Sequence, residues 1–400
     1  MIKKIIITGG WGYGNIGDEA ILKYTYLDLK KIFFNCPITI LSYNPQQTEY
    51  HHGLTAKESL HKIFKDAKGL DIKATSLKII SEKNTPVFLK HYVEQFDNET
   101  LFILAGGGYF NDHWKESFYS HLCEISIAKN RDTKISIIGQ TIGPIGERKN
   151  RDLFNQVVKF VDYIDVRDKT SYELLKKILP QKEIHLSCDA VIRNGNHYVR
   201  NAASKQISIM FQRKRPYTNA SSTLFGYRLR QGIQLLLGES KRFEHNICVL
   251  IKKLKVEYPD YRIVFVQSTN WNKEKIKMIM NKSGADGVIV DSHVNGYLAE
   301  IAKSSLVIST NMHPAIIATS IGIPTIALSH TYKIDDYMTS ISMEKYTFHD
   351  LRTKTIVGAI SELLKKQEIS EILIRSNEKL NIILNDNYNT LQLLFNRFTE

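Results

Sequence analysis

Short apolar runs alternate along this chain with longer stretches of helical spacing. The run KKIIITGG at residues 3–10 precedes a helical pattern over about residues 18–32, and PITILSYN at residues 37–44 forms a second run. The runs TLFILAGGGYF (100–110) and KISIIGQTIGP (134–144) continue the alternation. Because helical stretches separate consecutive strands, the pattern predicts parallel sheets that helices cover on both faces.

The alternation begins again near Lys205, after a polar segment. We predict an N-terminal α/β domain over residues 1–200, a C-terminal α/β domain over residues 201–345, and helices over residues 346–400 that pack across both. The predicted fold is α/β, with two doubly wound, Rossmann-like domains that face a cleft. Ligands of such sheets bind beyond the carboxyl ends of the strands.

The chain has 400 residues, and its formal net charge at pH 7 is +13. This length suits two domains. The positive charge favours an anionic partner, which can be a phosphorylated molecule or an acidic membrane surface. The sequence contains no Arg-rich tract or RNA-binding motif, so we predict no nucleic-acid partner.

Three features predict where the protein resides. Cys36, Cys123, Cys188 and Cys248 lie far apart and form no C-x-x-C pair, as is typical of reduced thiols in a cytoplasmic protein. No apolar run approaches the roughly 18 residues of a membrane span. The short N-terminal apolar run ends in glycines, unlike a signal peptide. We predict a cytoplasmic protein, with any membrane contact peripheral and at the inner face.

Residues 45–98 show little periodicity and contain His51, His52, His61 and His91. These histidines lack the spacing with carboxylates or cysteines that a metal site needs. We therefore predict a solvated surface region here and no metal site in the chain.

The segment WGYGNIGDEAIL at residues 11–22 contains the pattern G-x-G-x-x-G between a predicted strand and a predicted helix. An NAD site also needs an acid at the end of the second strand, and ILSYNPQQ contains none. Asp18 and Glu19 occupy the first turn of the predicted helix, where they would repel a pyrophosphate. The missing acid on the second strand and the two acids at the helix start therefore argue against an NAD enzyme. The glycines either serve turn geometry alone or line another ligand site.

Five segments in order resemble the polysaccharide pyruvyl transferase family. They are GNIGDEAIL (14–22), LAGGGYFND (104–112), GQTIGPI (139–145), VRDKTSYELL (166–175) and STNMHPAIIATSIGIPTIALSHTYK (309–333). The resemblance implies a glycosyltransferase-B-like fold. It also implies transfer of the pyruvyl group of phosphoenolpyruvate to a hydroxyl pair of a cell-surface glycan sugar, which forms a ketal and releases phosphate. The acceptor glycan is often still attached to a lipid carrier in such enzymes. The chemistry requires no metal or organic cofactor.

On the donor side, the resemblance identifies His313 as the group that moves protons, because imidazole titrates near neutral pH. His313 precedes Pro314, which we predict at the first position of a helix. The helix dipole would favour a neutral imidazole beside an anion. The alternative is that His313 only caps the helix. The family has an Arg where this chain has Asn311, so Arg213 and Lys333 are the candidate cations for the donor, and Asn311 is a further predicted donor-binding residue.

On the acceptor side, Asp112 is a candidate to orient or deprotonate the sugar, or else it caps the helix after the triple-glycine turn. The other predicted acceptor-binding residues are Asn15, Asp18, Gly107, Gly108 and Gln140. Trp11, Tyr13 and Tyr109 either stack on a sugar ring or pack in the core.

Two alternative functions stay open. The first is a nucleotide-sugar glycosyltransferase of the same architecture, since a fold does not fix its chemistry. The second is an inactive relative that only binds its ligands, which the replacement at Asn311 would permit.

Overall fold

The computed structural model describes residues 2–198, 200, 204–212, 215–267, 273–290, 293–366 and 368–396. Two compact units divide the chain. Unit 1 comprises Met1–Ala190, Ala220–Leu224 and Ile382–Glu400, and unit 2 comprises Val191–Asn219 and Phe225–Asn381. The predicted Arg213 lies outside the described residues.

Unit 1 contains a parallel sheet of seven strands within the described chain, in the order β3-β2-β1-β4-β5-β6-β7. Its strands are β1 (Lys4–Thr8), β2 (Ile38–Ser42), β3 (Ala56–Glu58), β4 (Thr100–Gly107), β5 (Lys134–Gln140), β6 (Tyr163–Val166) and β7 (His185–Leu186). Ile7 pairs with Ile40 on one side and with Ile103 on the other. The strand order therefore reverses beside β1, between β1 and β4.

Unit 2 repeats this arrangement with a six-stranded sheet, counted over its described residues, in the order β10-β9-β8-β11-β12-β13. Its strands are β8 (Gln206–Met210), β9 (Arg262–Gln267), β10 (Gly287–Val290), β11 (Leu306–Ser309), β12 (Thr325–Leu328) and β13 (Thr347–Phe348). All pairs are parallel, so the predicted fold of two parallel-sheet α/β domains is confirmed. The strand order reverses between β8 and β11, and open α/β sheets in general bind ligands at such reversals.

Helices connect the strands in both units. The helices are α1 (Ile16–Ile32), α2 (Pro45–His52), α3 (Leu60–Asp66), α4 (Ile72–Glu82), α5 (Lys90–Val93), α6 (Lys115–Lys129), α7 (Arg148–Val158), α8 (Lys169–Ile178), α9 (Leu224–Leu236), α10 (Glu239–Glu257), α11 (Lys273–Ser283), α12 (Val294–Ala302), α13 (Met312–Ser320), α14 (Tyr332–Ser340), α15 (Thr353–Lys365) and α16 (Glu368–Asn396). Among the described residues, no helix combines the length and the apolar character that crossing a bilayer needs.

The bounds of the two units differ from the predicted domain boundaries. Unit 2 begins at Val191 rather than at residue 201, because the 3₁₀ helix Ala190–Asn196 packs on α13. The side-chain amide of Asn194 donates hydrogen bonds to the carbonyl oxygen of Ile317 at 3.1 Å and to Ser320 at 3.3 Å. The last helix, α16, contributes its residues through 381 to unit 2 and the remainder to unit 1.

Residues 45–98 are not the solvated surface region that the sequence predicted. They form α2, β3 and the helices α3 to α5, and they bury Leu60, Phe64 and Tyr92 in the main hydrophobic core of unit 1. His61 is buried as well, and its Nδ1 lies 3.2 Å from the hydroxyl of Ser120. Burial lowers the pKa of His61 to about 4. The helices are short and mixed in character, so helical spacing over a long window could not reveal them.

Asp165 lies in β6 and is buried. One of its carboxylate oxygens accepts a hydrogen bond from the Gly139 amide of β5 at 2.6 Å, where the pairing of β5 with β6 is irregular. Burial raises the pKa of this carboxyl to about 7, because the charged form loses its hydration. The folded protein therefore favours the protonated acid.

We predict that wild type loses stability as pH rises and that Asp165→Asn does not show this loss. Because the folded state raises the pKa of the Asp165 carboxyl, the protonated acid stabilises the fold fully below about pH 4, and this stabilisation is lost as pH rises through about 7. The full effect is on the order of 4 kcal/mol. Thermal melting from pH 4 to 8 measures it. The exposed control Asp152→Asn should retain the wild-type slope, and an equal slope in Asp165→Asn would contradict the assignment.

Candidate functional site

The turn after β1 is held by a buried carboxylate. Gly12 has a positive φ of 90°, and its amide donates a hydrogen bond to Glu19 at 2.8 Å. The other oxygen of Glu19 lies 2.8 Å from Nε2 of His52. A backbone amide that a pyrophosphate would use is thus already bonded to an acid of the same chain, which agrees with the interpretation against a dinucleotide.

Asn15 and Asp18 lie together in the first turn of α1. Asn15 caps the helix by accepting from the Gly17 amide at 3.2 Å, and its side-chain amide donates to Asp18 at 2.6 Å. The Asp18 carboxylate lies beside both flanking turns: a Cβ atom would approach it within 3.2 Å at Gly10 and 3.7 Å at Gly107. Three of the predicted acceptor-binding residues, Asn15, Asp18 and Gly107, therefore meet at the reversal between β1 and β4, and Gly108 follows directly.

Asp112 and Gln140 are both buried. Asp112 accepts hydrogen bonds from the Glu147 amide and the Asn150 side chain, each at 3.1 Å, so it supports the start of α7. The alternative that it caps the helix after the triple-glycine turn is wrong, because α6 begins at Lys115 with Trp114 at its N-cap. Both residues keep one buried oxygen, Oδ1 of Asp112 and Oε1 of Gln140, without a hydrogen-bond partner among the described residues.

The Arg-Asp-x-x-Ser segment after β6 holds the turn that follows β5 by hydrogen bonds. Arg167 donates to Thr141 at 2.8 Å and to the buried Asp189 at 2.5 Å. Asp168 caps α8 by accepting from the Ser171 amide, and it also accepts from the Thr141 hydroxyl at 2.6 Å. These motif residues hold the turn that directly follows Gln140, the last residue of β5.

Sequence reasoning missed a buried polar chain under the same edge of the sheet. Glu124 is fully buried and accepts hydrogen bonds from Tyr92 at 3.0 Å and from Nδ1 of His121 at 2.7 Å. Nε2 of His121 lies 2.9 Å from the hydroxyl of Tyr43, which lies 3.2 Å from the hydroxyl of Ser117. The only sequence signal is the i, i+3 spacing of His121 and Glu124 on α6.

The hydrogen bonds of this chain assign its protons. In a neutral imidazole, a proton on Nδ1 of His121, which faces the Glu124 carboxylate, leaves Nε2 to accept from the hydroxyl of Tyr43. Burial raises the pKa of Tyr43, which keeps this hydroxyl protonated. The Tyr109 ring lies over the imidazole with centroids 3.9 Å apart. These side-chain contacts link the turns after β2 and β4 to α6.

The three candidate stacking residues differ in exposure. Trp11 is fully buried, and its indole donates to the carbonyl oxygen of Leu41 at 2.8 Å. Tyr109 is also buried, so both residues pack in the core. Tyr13 is 52% exposed, and its ring centroid lies 4.5 Å from that of Tyr43. Tyr13 alone of the three offers a ring face to a ligand.

In unit 2, Asn311 rather than His313 occupies the N-cap of α13. The Asn311 amide donates to the hydroxyl of Ser309 at 3.0 Å, and its side chain makes no capping hydrogen bond. His313 is the second residue of the helix and is half-buried. Pro314 is the third residue, not the first as predicted. The alternative that His313 caps the helix is therefore wrong.

Lys333 occupies the matching position after the next strand. It is the second residue of α14, which follows β12, and β12 pairs directly with β11. His313 and Lys333 thus both lie in first turns at the carboxyl edge of one sheet. Their predicted roles stay predictions.

A cavity of about 180 Å³ opens at this edge of unit 2. Its lining residues are Gln212, Arg215, Tyr217, Gln234, Phe243, Thr310, Leu328, Ser329, His330, Phe348, His349, Asp350 and Leu351. Most of them end or follow β8, β11, β12 and β13, and Gln234 and Phe243 come from α9 and α10. They combine an apolar wall with one arginine, two histidines and one aspartate. Burial and, to a smaller extent, the neighbouring Arg215 lower the pKa of His330 to about 4.

The predicted donor residues flank this cavity without lining it. Thr310 and His330 line the wall, and His313 and Lys333 each follow one of them by three residues. His330 was missed because an isolated histidine after a strand carries no distinguishing spacing. Across the described residues, no group of three or more His, Cys, Asp or Glu side chains is arranged to hold a metal ion.

The profile of the family described as "Polysaccharide pyruvyl transferase" matches residues 15–332 of the chain. The chain belongs to this family. The match spans Asn15, Asp18, Asp112 and His313 and ends one residue before Lys333. Family membership confirms the resemblance and gives the chain a transferase role in polysaccharide biosynthesis.

One relative of this protein is the amylovoran biosynthesis protein AmsJ of Erwinia amylovora. The two sequences are 23% identical, over 96% of this chain and 97% of AmsJ. Similar solved structures include a putative UDP-N-acetylglucosamine 2-epimerase from Listeria monocytogenes, with a TM-score of 0.65, 12% identity and coverage of 99% of this chain and 97% of that one.

A second similar structure is the UDP-GlcNAc 2-epimerase from Neisseria meningitidis bound to UDP-GlcNAc. Its TM-score is 0.62 at 15% identity, with 99% of this chain and 100% of that chain covered. At such identities the likeness establishes the fold alone, and it confirms the glycosyltransferase-B-like architecture.

We predict that Gly12→Ala destabilises the protein by roughly 3 kcal/mol, because a Cβ atom adds strain at positive φ and a steric clash. That atom would lie 2.5 Å from the backbone nitrogen of Asn44 and from the hydroxyl of Ser42. Gly53 also has a positive φ but has nothing within 4 Å of its Cβ position, so Gly53→Ala should cost roughly 1 kcal/mol. Urea unfolding followed by tryptophan fluorescence measures both. Equal losses would show that contact with Asn44 contributes nothing.

Proposed function

We propose that this protein transfers the pyruvyl group of phosphoenolpyruvate to a hydroxyl pair of a cell-surface glycan sugar, forming a ketal and releasing phosphate. The observation that carries the proposal is the cavity of unit 2. It holds Arg215 and two histidines at the carboxyl edge of a sheet in a member of this transferase family.

Phosphoenolpyruvate carries a phosphate and a carboxylate on one carbon, next to a methylene group. Arg215 offers directed donors for either anion. The apolar wall formed by Leu328, Phe348 and neighbouring side chains suits the methylene end. The lowered pKa of His330 keeps its imidazole neutral near pH 7, so it can serve as a hydrogen-bonding partner without fixed charge.

The proposed reaction moves two protons. His313 protonates the methylene carbon, which makes the neighbouring carbon electrophilic, and one sugar hydroxyl attacks that carbon. The bond to phosphate breaks, and the second hydroxyl closes the ketal. Of the two protons that the hydroxyls lose, one restores His313 and the other leaves with the phosphate. These steps call for no metal or organic cofactor.

The acceptor is proposed to bind at the carboxyl edge of unit 1. Asn15, Asp18 and the Gly107 turn converge there, and Tyr13 offers an exposed ring on which a sugar can stack. The family and the similarity to an amylovoran biosynthesis protein support a glycan acceptor.

A second candidate is a glycosyltransferase that uses a nucleotide sugar. Asn311 replaces the arginine that is usual in the family, and a structurally similar epimerase binds UDP-GlcNAc. The two candidates predict different donors, so one experiment separates them. The protein is incubated with extracts that contain lipid-linked glycans and either phosphoenolpyruvate or UDP-sugars. Phosphate release that depends on phosphoenolpyruvate and acceptor supports pyruvyl transfer, whereas stabilisation and turnover with a UDP-sugar alone supports the second candidate.

We predict that His313→Asn lowers kcat in this assay by about 10²- to 10⁴-fold, the range for losing a general acid–base group. The matched control is His91→Asn, which changes a fully solvent-facing histidine of unit 1 and should leave kcat unchanged. Unchanged turnover in His313→Asn would remove His313 from the mechanism while leaving the donor assignment intact.

We also predict that Arg215→Ala weakens binding of phosphoenolpyruvate by roughly ten- to a hundredfold, since hydrogen bonds to a charged group are lost. Isothermal titration calorimetry measures the Kd without an acceptor. Arg262→Ala is the control, because Arg262 begins β9 at the opposite edge of the same sheet and is exposed. Equal affinities for wild type and Arg215→Ala would place the donor outside the cavity.

A further inference from the structure

Helix α9 presents an apolar stripe to solvent. Phe225, Leu229, Ile233 and Leu236 recur at intervals of three or four residues, so their side chains lie along one face. Their exposed fractions are 79%, 56%, 46% and 89%. Leu235 and Leu237 beside the stripe are exposed too. No residue of α9 is buried.

The opposite face of α9 is the one that contacts the protein, and of the large apolar residues of the helix only Leu224 is partly buried there, beside polar groups. Gln234 lies on the side of the helix opposite Phe225. It is partly buried and lines the cavity of unit 2. Tyr227 on the same side is also partly buried. An ordinary surface helix turns its apolar face inward and its polar face outward. In α9 this arrangement is inverted, so burial within the chain does not explain the apolar stripe.

The charges around the stripe are mostly positive. Arg228 and Arg230 lie on its two flanks and are exposed, and the next helix begins at Glu239 and adds exposed Lys241 and Arg242. No Asp or Glu occurs anywhere between Asp189 and Glu239. Large exposed apolar patches of this kind mark interaction sites, and the absence of acids here favours an anionic partner.

We propose that α9 lies on an anionic lipid bilayer, with its apolar stripe inserted among the acyl chains and its arginines at the headgroups. Phe and Leu on one face with Arg at the boundary are the pattern of a helix that lies in a membrane interface. Each basic residue near the surface adds attraction to anionic headgroups. The contact places the unit that holds the cavity at the membrane surface, where lipid-linked glycans reside.

A second copy of this chain is a poorer occupant of the stripe. A two-fold symmetric interface brings the same patch of both subunits together. The basic flanks of the two stripes, which carry Arg228 and Arg230, would then lie in one interface, where like charges repel. A bilayer with anionic headgroups attracts the same arginines.

Vesicle co-sedimentation tests the proposal. The full chain is mixed with vesicles of phosphatidylcholine and phosphatidylglycerol, and in parallel with pure phosphatidylcholine vesicles, without any phosphoenolpyruvate. The outcome is therefore independent of whether the protein is a pyruvyl transferase. One variant is Leu229→Gln with Leu236→Gln, and another is Arg228→Gln with Arg230→Gln. The matched control is Val256→Gln with Met278→Gln, two exposed apolar residues of α10 and α11.

Wild type and the control should bind the anionic vesicles, and binding should weaken with added salt. Both α9 variants should lose at least tenfold in partitioning. Because these side chains are exposed, their melting temperatures should match that of wild type. Equal binding by all four proteins, or no binding by wild type, would overturn the proposal. A dimer in light scattering that the leucine variant converts to monomer would also overturn it, since the stripe would then be a self-interface.

Discussion

A buried carboxylate must be supplied with hydrogen-bond donors, and two buried acids of unit 1 take a donor from the backbone at the carboxyl edge of its sheet. Glu19 accepts from the amide of Gly12. Asp112 accepts from the amide at the start of α7. Each acid holds one turn in place, so the backbone around the proposed acceptor site is ordered before any ligand arrives. Pre-organisation of this kind lowers the cost of ordering a site on binding.

Sequence reasoning could predict the parts of this protein that follow from local pattern. The alternation of strands and helices specified two parallel sheets, and the carboxyl ends of parallel strands share one edge, so Asn15, Asp18 and Gly107 were expected to converge. It could not predict the chain from Glu124 through His121 to Tyr43. Glu124 and His121 share α6, but Tyr43 follows β2 and Tyr92 lies in α5, so only folding brings them within hydrogen-bond distance.

The same distinction applies to the two histidines of unit 2. His313 was identified because a family motif surrounds it, whereas His330 was recognised only from the cavity that it lines. Periodicity also failed over residues 45–98, where short helices bury a few large side chains each rather than one long stripe. Helix starts were uncertain by one or two residues, as Pro314 illustrates, because several residues near a helix start can adopt either cap or helical geometry.

Helix α9 has one side in the wall of the cavity, through Gln234, and its other side is apolar and exposed. If binding on either side shifts α9, it changes the free energy of binding on the other side, and the coupling is equal in both directions. Occupation of the cavity would then alter how long the protein stays on a surface, and residence on that surface would alter how readily the cavity fills.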